Sequence, residues 1–260
     1  MTTVLVTGGA GVLGSLLVAK LNAAGYTTRG MSRRERPATL PAGVQWVRAD
    51  LETGVGVVES LSGVDVIVHA ASSAMQHSRQ VDVDGTRRLL ELARTRAISH
   101  VVYISIVGIE RIPLGYYKDK VAGEEAVMAG GVPWTILRAT QFHNLIDRFL
   151  RGFTKYVLAP VATDFQYQPV DAGEVADALI ACVSAGPRGR VPDMGGPEVL
   201  TLGRMIRPWL VARGLHRLVI PVRAPGALAH AFRHGYNTCP NNRQGKVTWA
   251  DWLSARYRTG

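Results

Sequence analysis

Residues 4–14, Val4-Leu5-Val6-Thr7-Gly8-Gly9-Ala10-Gly11-Val12-Leu13-Gly14, constrain the fold more than any other stretch of the chain. Val4 to Val6 is a short apolar run with β-branched residues, the pattern of a buried strand. It breaks at Thr7-Gly8-Gly9, after which Leu13, Leu16, Leu17 and Leu21 recur at helical spacing with Lys20 beside them. Glycines 9, 11 and 14 fit the spacing G-x-G-x-x-G in the strand–turn–helix setting that a dinucleotide-binding fingerprint requires. A side chain at Gly9 or Gly11 would keep a pyrophosphate from the backbone N–H groups, and the helix N-terminus faces the negative charge. Gly14 lets the helix lie close on the strand. An ordinary glycine-rich turn has the same composition. The shared register of strand, turn and helix favours nucleotide binding.

Composition narrows the alternatives. A chain of 260 residues, 47% hydrophobic, can bury a full core, and one domain with an elaborated end fits its length better than two. No stretch approaches the roughly 20 consecutive apolar residues of a membrane span. The start of the chain has no basic segment ahead of an apolar one, so no signal peptide is expected. Cys182 and Cys239 are the only cysteines and no His/Cys spacing suits zinc, which fits a reduced, cytoplasmic setting without a metal. The net charge of +10 raises nucleic acid as a partner. The arginines are scattered, however, at 33, 34 and 36, at 87, 88, 94 and 96, and through the last third, with no dense run interleaved with aromatics; a solvated basic surface is the simpler reading.

Strands and helices alternate along the rest. Strands are expected at Tyr26–Ser32, Val44–Ala49, Val64–His69, His100–Ser105 and Pro133–Arg138, with helices at Val81–Arg96 and Tyr116–Met128. Repeated β–α units with near-continuous apolar strands imply an α/β fold, a Rossmann-type doubly wound parallel sheet covered on both faces. Ligands bind such sheets beyond the carboxyl ends of the strands. The core is expected to span residues 1–140 and a small substrate-binding portion 141–260, with 171–194 returning to the core.

The residues just after each strand therefore carry the functional expectations. Ser32-Arg33-Arg34 stands where an acidic residue would hold the ribose 2′-OH of NAD. A serine and two arginines there suit a 2′-phosphate, so NADP(H) is expected over NAD(H). Asp50 and Leu51 follow the third strand; they contact the adenine ring, or Asp50 caps the next short helix. His69-Ala70-Ala71 follows the fourth, with small residues that let a cofactor cross the sheet edge, while His69 by itself reads as a structural hydrogen-bonder. Ser105 ends the fifth strand, and Tyr116 and Lys120, four apart on the next helix, share one face. An ammonium beside a phenol stabilises the phenolate and lowers its pKa, which would let Tyr116 exchange a proton near neutrality. Lys120 also suits the nicotinamide ribose hydroxyls, and Ser105 the same substrate oxygen as Tyr116.

These motifs resemble the short-chain dehydrogenase/reductase superfamily, and more closely its atypical, NmrA-like NAD(P)-binding branch. The likeness covers most of the chain. It rests on Gly9, Gly11 and Gly14, Asp50-Leu51, Val83-Asp84-Gly85-Thr86, Ser105, Tyr116 through Lys120, Pro133 through Arg138, Thr140-Gln141-Phe142-His143 and Gln168-Pro169-Val170-Asp171. The resemblance implies a Rossmann core, NADP(H) and often a carbonyl or quinone reductase activity, although some members of the branch are redox-sensing regulators that bind the dinucleotide and a protein partner. A third possibility is an epimerase of the extended type. Three positions depart from the superfamily pattern. Ile106-Val107 follows the serine, His69-Ala70-Ala71 replaces Asn-Ala-Gly, and Asp82 or Asp84 occupies the stretch where an asparagine is usual.

Together these readings make Ser105, Tyr116 and Lys120 the candidate catalytic residues. The candidate cofactor contacts are Gly8, Gly9, Gly11, Val12, Leu13, Gly14, Ser32, Arg33, Arg34, Asp50, Leu51, His69, Ala70, Ala71, Lys120 and Thr140. Gln141, Phe142 and His143, after the sixth strand, are the candidate substrate pocket. Farther on, 152–168 suggests short strands or a flap, Asp171–Ser184 a helix, Arg190–Met194 a last core strand, and Leu202–Arg213 a helix that Pro208 should disturb. Trp249 and Trp252 read as packing anchors. The partner expected is a small carbonyl or quinone compound; monomer and homodimer both remain open.

Overall fold

The computed structural model describes residues 1–74 and 76–257. The chain forms two compact units, Met1–Ser105 with Gly115–Arg138 and Gly173–Pro192, and Ile106–Leu114 with Ala139–Ala172 and Asp193–Gly260. Residues 173–192 thus lie with the first unit. The loop 106–114 belongs to the second, although it falls inside the continuous stretch that the sequence suggests as core.

The first unit is built on a seven-stranded sheet of β1 (Thr3–Thr7), β2 (Thr27–Ser32), β3 (Gln45–Arg48), β4 (Val66–His69), β5 (His100–Ile106), β6 (Trp134–Ala139) and β9 (Gly189–Arg190). Its order is β3-β2-β1-β4-β5-β6-β9, with every described pairing parallel. The reversal between β1 and β4 is the switch point at which doubly wound sheets bind ligands. Val4, Leu5 and Val6 are fully buried, as a strand covered on both faces requires. The helices are α1 (Val12–Ala23), the short α2 (Val57–Ser60), α3 (Gly85–Thr95), α4 (Gly115–Ala129) and α6 (Ala172–Ala185). The expected helix from Val81 is instead a π-helical turn, Arg79–Asp84, followed by α3. Gly85 is the first residue of α3, and a Cβ there would stand 2.8 Å from the Leu51 carbonyl oxygen, so the position takes no side chain.

The second unit contains α5 (His143–Phe153), α7 (Leu202–Ala212), α8 (Gly226–Arg233) and α9 (Trp249–Tyr257), with two small sheets. In these, β7 (Leu158–Val161) pairs in parallel with β11 (Leu218–Pro221), and β8 (Gln166–Tyr167) runs antiparallel to β10 (Leu200–Thr201). Pro208 lies inside α7 without ending it. Met205, Ile206 and Trp209 are almost wholly buried on that helix, and their packing outweighs one missing backbone hydrogen bond. No helix of the described residues is long and apolar enough to cross a membrane.

Candidate functional site

The turn after β1 is shaped by two close approaches. Gly8 has φ +70°, and a Cβ on it would lie 2.8 Å from the Ala71 Cα; one on Gly14 would lie 2.1 Å from the Gly8 carbonyl oxygen. Both positions exclude any side chain. Gly11 precedes α1 in extended conformation, no side chain caps the helix, and no acidic residue stands in its first turn. The first-turn N–H groups and the positive end of the helix are therefore available to an anion.

An open cleft enclosing about 740 Å³ out to its mouth lies beside this turn. It gathers Gly8, Gly11, Ser32, Arg33, Arg34, Asp50, Leu51, Ala70 and Ala71 from the ends of β1 to β4, together with Ala10, Met31, Ala49, Ser72, Ser73 and Val81. The donor set suits a dinucleotide: bare backbone amides for the pyrophosphate, and two guanidinium groups beside Ser32 for a phosphate. Ser32 Oγ accepts the Arg34 amide at 3.2 Å and keeps its own proton to donate. Arg33 is exposed and 3.8 Å from Glu52, whose carboxylate also contacts His77.

Several expected cofactor contacts are placed otherwise. Gly9 packs toward the Trp46 ring, while the Leu13 side chain is buried in the core and the Val12 side chain is half-exposed outside the cleft lining, so these two residues offer a cofactor their backbone N–H groups alone. Asp50 lines the cleft but caps no helix; its Oδ1 accepts the Glu52 amide at 2.9 Å in a turn, and α2 begins only after Gly56. His69 does not reach the cleft. Thr7 Oγ1 accepts the Ala70 and Ala71 amides, at 3.1 Å each, and so donates to His69 Nδ1 at 2.7 Å. That assigns the proton of the ring to Nε2, which donates to Thr86 Oγ1 at 2.9 Å, and Thr86 donates in turn to the Asp82 carbonyl at 2.8 Å. Burial, with the Lys120 charge second, pushes the His69 pKa down to about 3 and keeps the ring neutral.

Ser72 of the cleft lining and the Tyr116 hydroxyl are 2.6 Å apart. The Tyr116 pKa is pushed up to about 12, mainly by burial, which outweighs the opposing pull of Lys120; Asp82 adds to the rise. The expectation of a lowered phenol pKa is therefore corrected: desolvation and a nearby carboxylate outweigh one ammonium. Lys120 is 3% exposed, and its Nζ donates to Tyr103 Oη at 2.7 Å and to the Ile104 carbonyl at 3.1 Å, with Asp82 Oδ1 at 3.7 Å. Ser105 is 2% exposed and its Oγ is unpartnered.

Asp82, Tyr103 and Ser72 are the contributors that sequence reasoning missed as a group. They lie on the loop after β4, on the π-helical turn and on β5, and only the unusual aspartate at position 82 signalled any of them. A second buried pair, Arg138 Nε and Nη2 on the Glu124 carboxylate at 2.7 and 2.5 Å, ties β6 to α4.

The expected substrate residues lie in the second unit. Gln141 is buried, and its Oε1 accepts from Asn237 Nδ2 at 3.0 Å. Phe142 is half-buried and precedes α5. His143 is fully buried and stacked on Trp249 and Trp252, with ring centroids 5.7 and 5.6 Å away. Its imidazole is thus packed in an aromatic core. Thr140, expected at the cofactor, is 3% exposed and donates to the Gln168 carbonyl. Its hydroxyl is spent on the second unit's own backbone. No group of three or more potential metal ligands occurs among the described residues.

Residues 8–185 match a family described as NAD(P)H-binding. The chain is 25% identical over 229 residues to an uncharacterized protein of Mycobacterium tuberculosis, a match over 85% of this chain and 24% of that one. It therefore spans about a quarter of the length of the mycobacterial relatives it matches. It is 24% identical to the (4-alkanoyl-5-oxo-2,5-dihydrofuran-3-yl)methyl phosphate reductase of Streptomyces griseus, over 88% of this chain and 84% of the reductase. Among solved structures, an NADPH-dependent quinone oxidoreductase from Escherichia coli shares the fold with a TM-score of 0.75 at 16% identity, over 98% of this chain and 100% of the other.

Proposed function

The chain belongs to the NAD(P)H-binding family, with the fold of the atypical short-chain dehydrogenases/reductases, and on that premise we propose that it is an NADPH-dependent oxidoreductase acting on a small carbonyl or quinone compound. The observation that carries the proposal is the phenol of Tyr116 hydrogen-bonded to Ser72 of the cleft lining, with a buried ammonium one helical turn away on α4. Dinucleotide binding alone calls for no phenol paired with the ammonium.

In this reading Gly8, Gly11 and the first turn of α1 hold the pyrophosphate, and Ser32, Arg33 and Arg34 hold a 2′-phosphate. The bound dihydronicotinamide supplies a hydride. Tyr116 holds the proton that the reduced substrate oxygen takes, Ser72 fixes the direction of the phenol, and Ser105 offers its unpartnered hydroxyl to the same oxygen. With the phenol pKa near 12, Tyr116 stays protonated throughout the neutral range, as a proton donor must. The names of the Streptomyces reductase and the Escherichia coli quinone oxidoreductase support this class of reaction.

Purified protein given NADPH and a panel of quinones and aldehydes is expected to oxidise the cofactor. Tyr116→Phe should lower that rate about 100-fold or more, the usual contribution of a positioned proton donor. Tight NADPH binding with no turnover across the panel would instead favour a cofactor-sensing regulator. Arg33→Ala with Arg34→Ala should abolish the preference for NADPH over NADH in binding; an unchanged ratio would show that the arginines do not read the 2′-phosphate.

A further inference from the structure

Asp82 is 1% exposed and sits in the π-helical turn ahead of α3. Its Oδ2 accepts the Ser73 amide at 2.9 Å, while its Oδ1 receives no hydrogen bond and faces Lys120 Nζ at 3.7 Å. The lysine is turned toward Tyr103, donating to its hydroxyl and lying 4.2 Å from the centre of its ring. Gly123 makes this convergence possible. A Cβ there would stand 2.7 Å from both the Asp82 carbonyl oxygen and Tyr103 Oη, so any larger residue would push α4 away from the π-helical turn and β5. Three elements thus meet around one buried ammonium and one buried carboxylate. The two opposite charges are sealed from water together, and each is strongly destabilising there unless the other stays beside it.

Resting on the reading of Tyr116 as proton donor, we propose that Asp82 is a positioning residue for the proton transfer: its carboxylate fixes the Lys120 ammonium against Tyr103 and balances that charge at Tyr116, so that the phenol meets the substrate oxygen with its proton in place. The charged and titratable groups acting on Tyr116 are Lys120, which favours the phenolate, and Asp82 and Tyr103, which oppose it, with Ser72 bonded to the hydroxyl. His69 faces Lys120 and Tyr103 as a neutral ring, and Glu124, which acts on Tyr103, is paired with Arg138. Lys120 is therefore the one cation among the groups acting on the phenol, and Asp82 is the carboxylate that offsets it. In the transfer the substrate carbon gains a hydride from C4 of a bound reduced nicotinamide, which is thereby oxidised, as the carbonyl electron pair moves to oxygen, and that oxygen takes the Tyr116 proton; solvent returns a proton to the phenolate.

The test needs no turnover. The full chain is prepared with 3,5-difluorotyrosine, whose phenol titrates several pH units below that of tyrosine, and the ¹⁹F signal of position 116 is assigned by its absence in Tyr116→Phe. Asp82→Asn is expected to lower the titration midpoint at 116 by at least about one pH unit, since an unopposed ammonium then faces the phenol. Lys120→Gln should raise it, the double variant should fall between the two, and Asp82→Glu should stay near the parent. A midpoint in Asp82→Asn that coincides with the parent overturns the proposal. Should Asp82→Asn not fold, the double variant, which buries no unpaired charge, must titrate below Lys120→Gln, and coincidence of those two overturns it. Loss of the catalytic reading would appear separately, as full turnover by Tyr116→Phe with these midpoints unaffected.

Discussion

His69 in the sheet unit and His143 in the second unit are both buried and both neutral, yet their surroundings have little in common. His69 is held at each nitrogen, by Thr7 and Thr86, in a chain of directed hydrogen bonds that ends on the backbone of Asp82. His143 makes no hydrogen bond of ordinary geometry at either nitrogen and is stacked on two indoles; burial pushes its pKa down to about 4, against the smaller opposing pull of Asp171 and the Val170 backbone. One histidine is a coupler that fixes the relative placement of β1, β4 and the π-helical turn. The other is a flat packing element in an aromatic core. The first unit relies on directional bonds because a site with charges and a proton donor needs fixed geometry. Around His143 in the second unit the packing is non-directional stacking, while directed bonds hold other points of that unit, as where Trp209 Nε1 donates to Asp147 at 2.7 Å.

The largest break in that comparison should come from Trp249→Ala. It removes a 3% exposed indole that stacks on both His143 and Trp252 and donates to the Met205 carbonyl at 3.0 Å, and is expected to cost about 3–5 kcal/mol in urea unfolding. A cost below about 1 kcal/mol would show that the stack does not hold the second unit.

Acid gives the next effect. Both folded pKa values lie below the ordinary value near 6.5, at about 3 and about 4, so below pH 6.5 the unfolded chain binds protons that the folded chain refuses. The stabilisation is complete above pH 6.5 and is lost as the pH falls, by about 1.4 kcal/mol per pH unit for each histidine, or about 3 kcal/mol per unit for both. His143→Phe should halve that slope and leave stability at pH 7 unchanged or higher, since the stack survives and two unpaired nitrogens vanish. His69→Phe should halve it too, but at a cost at pH 7, because Thr7 and Thr86 lose their partner. Equal behaviour of the two variants at pH 7 would erase the distinction drawn here.

A smaller loss, about 1–2 kcal/mol by chemical denaturation, is expected for Thr86→Val, which leaves His69 Nε2 and the Asp82 carbonyl without their shared hydroxyl. No loss would mean that the threonine link contributes nothing to fixing the π-helical turn.

The parts of the fold that could be read in advance are those with local causes. The apolar run Val4–Val6, the glycines after it and the leucine spacing of α1 each state their structure within a few residues, as does the strand at Trp134–Ala139. The cleft residues after β1 to β4 were legible for the same reason, because the ends of parallel strands share one edge. Other features had no local signature. Nothing near position 79 announces a π-helical turn, Pro208 argues against the helix that contains it, and a histidine beside Gln141 and Phe142 looks like a pocket residue until Trp249 and Trp252 arrive from the far end of the chain.

The amino-acid sequence by itself determined the order of strands and helices, the glycine turn and the shared face of Tyr116 and Lys120, since periodicity and steric freedom belong to neighbours along the chain. Tertiary structure alone decided the charge state of that face. Burial at Tyr116 and the arrival of Asp82 and Tyr103 at Lys120 reverse the sign of the phenol's shift, because desolvation and Coulomb energy depend on distances in space that no spacing in the sequence encodes.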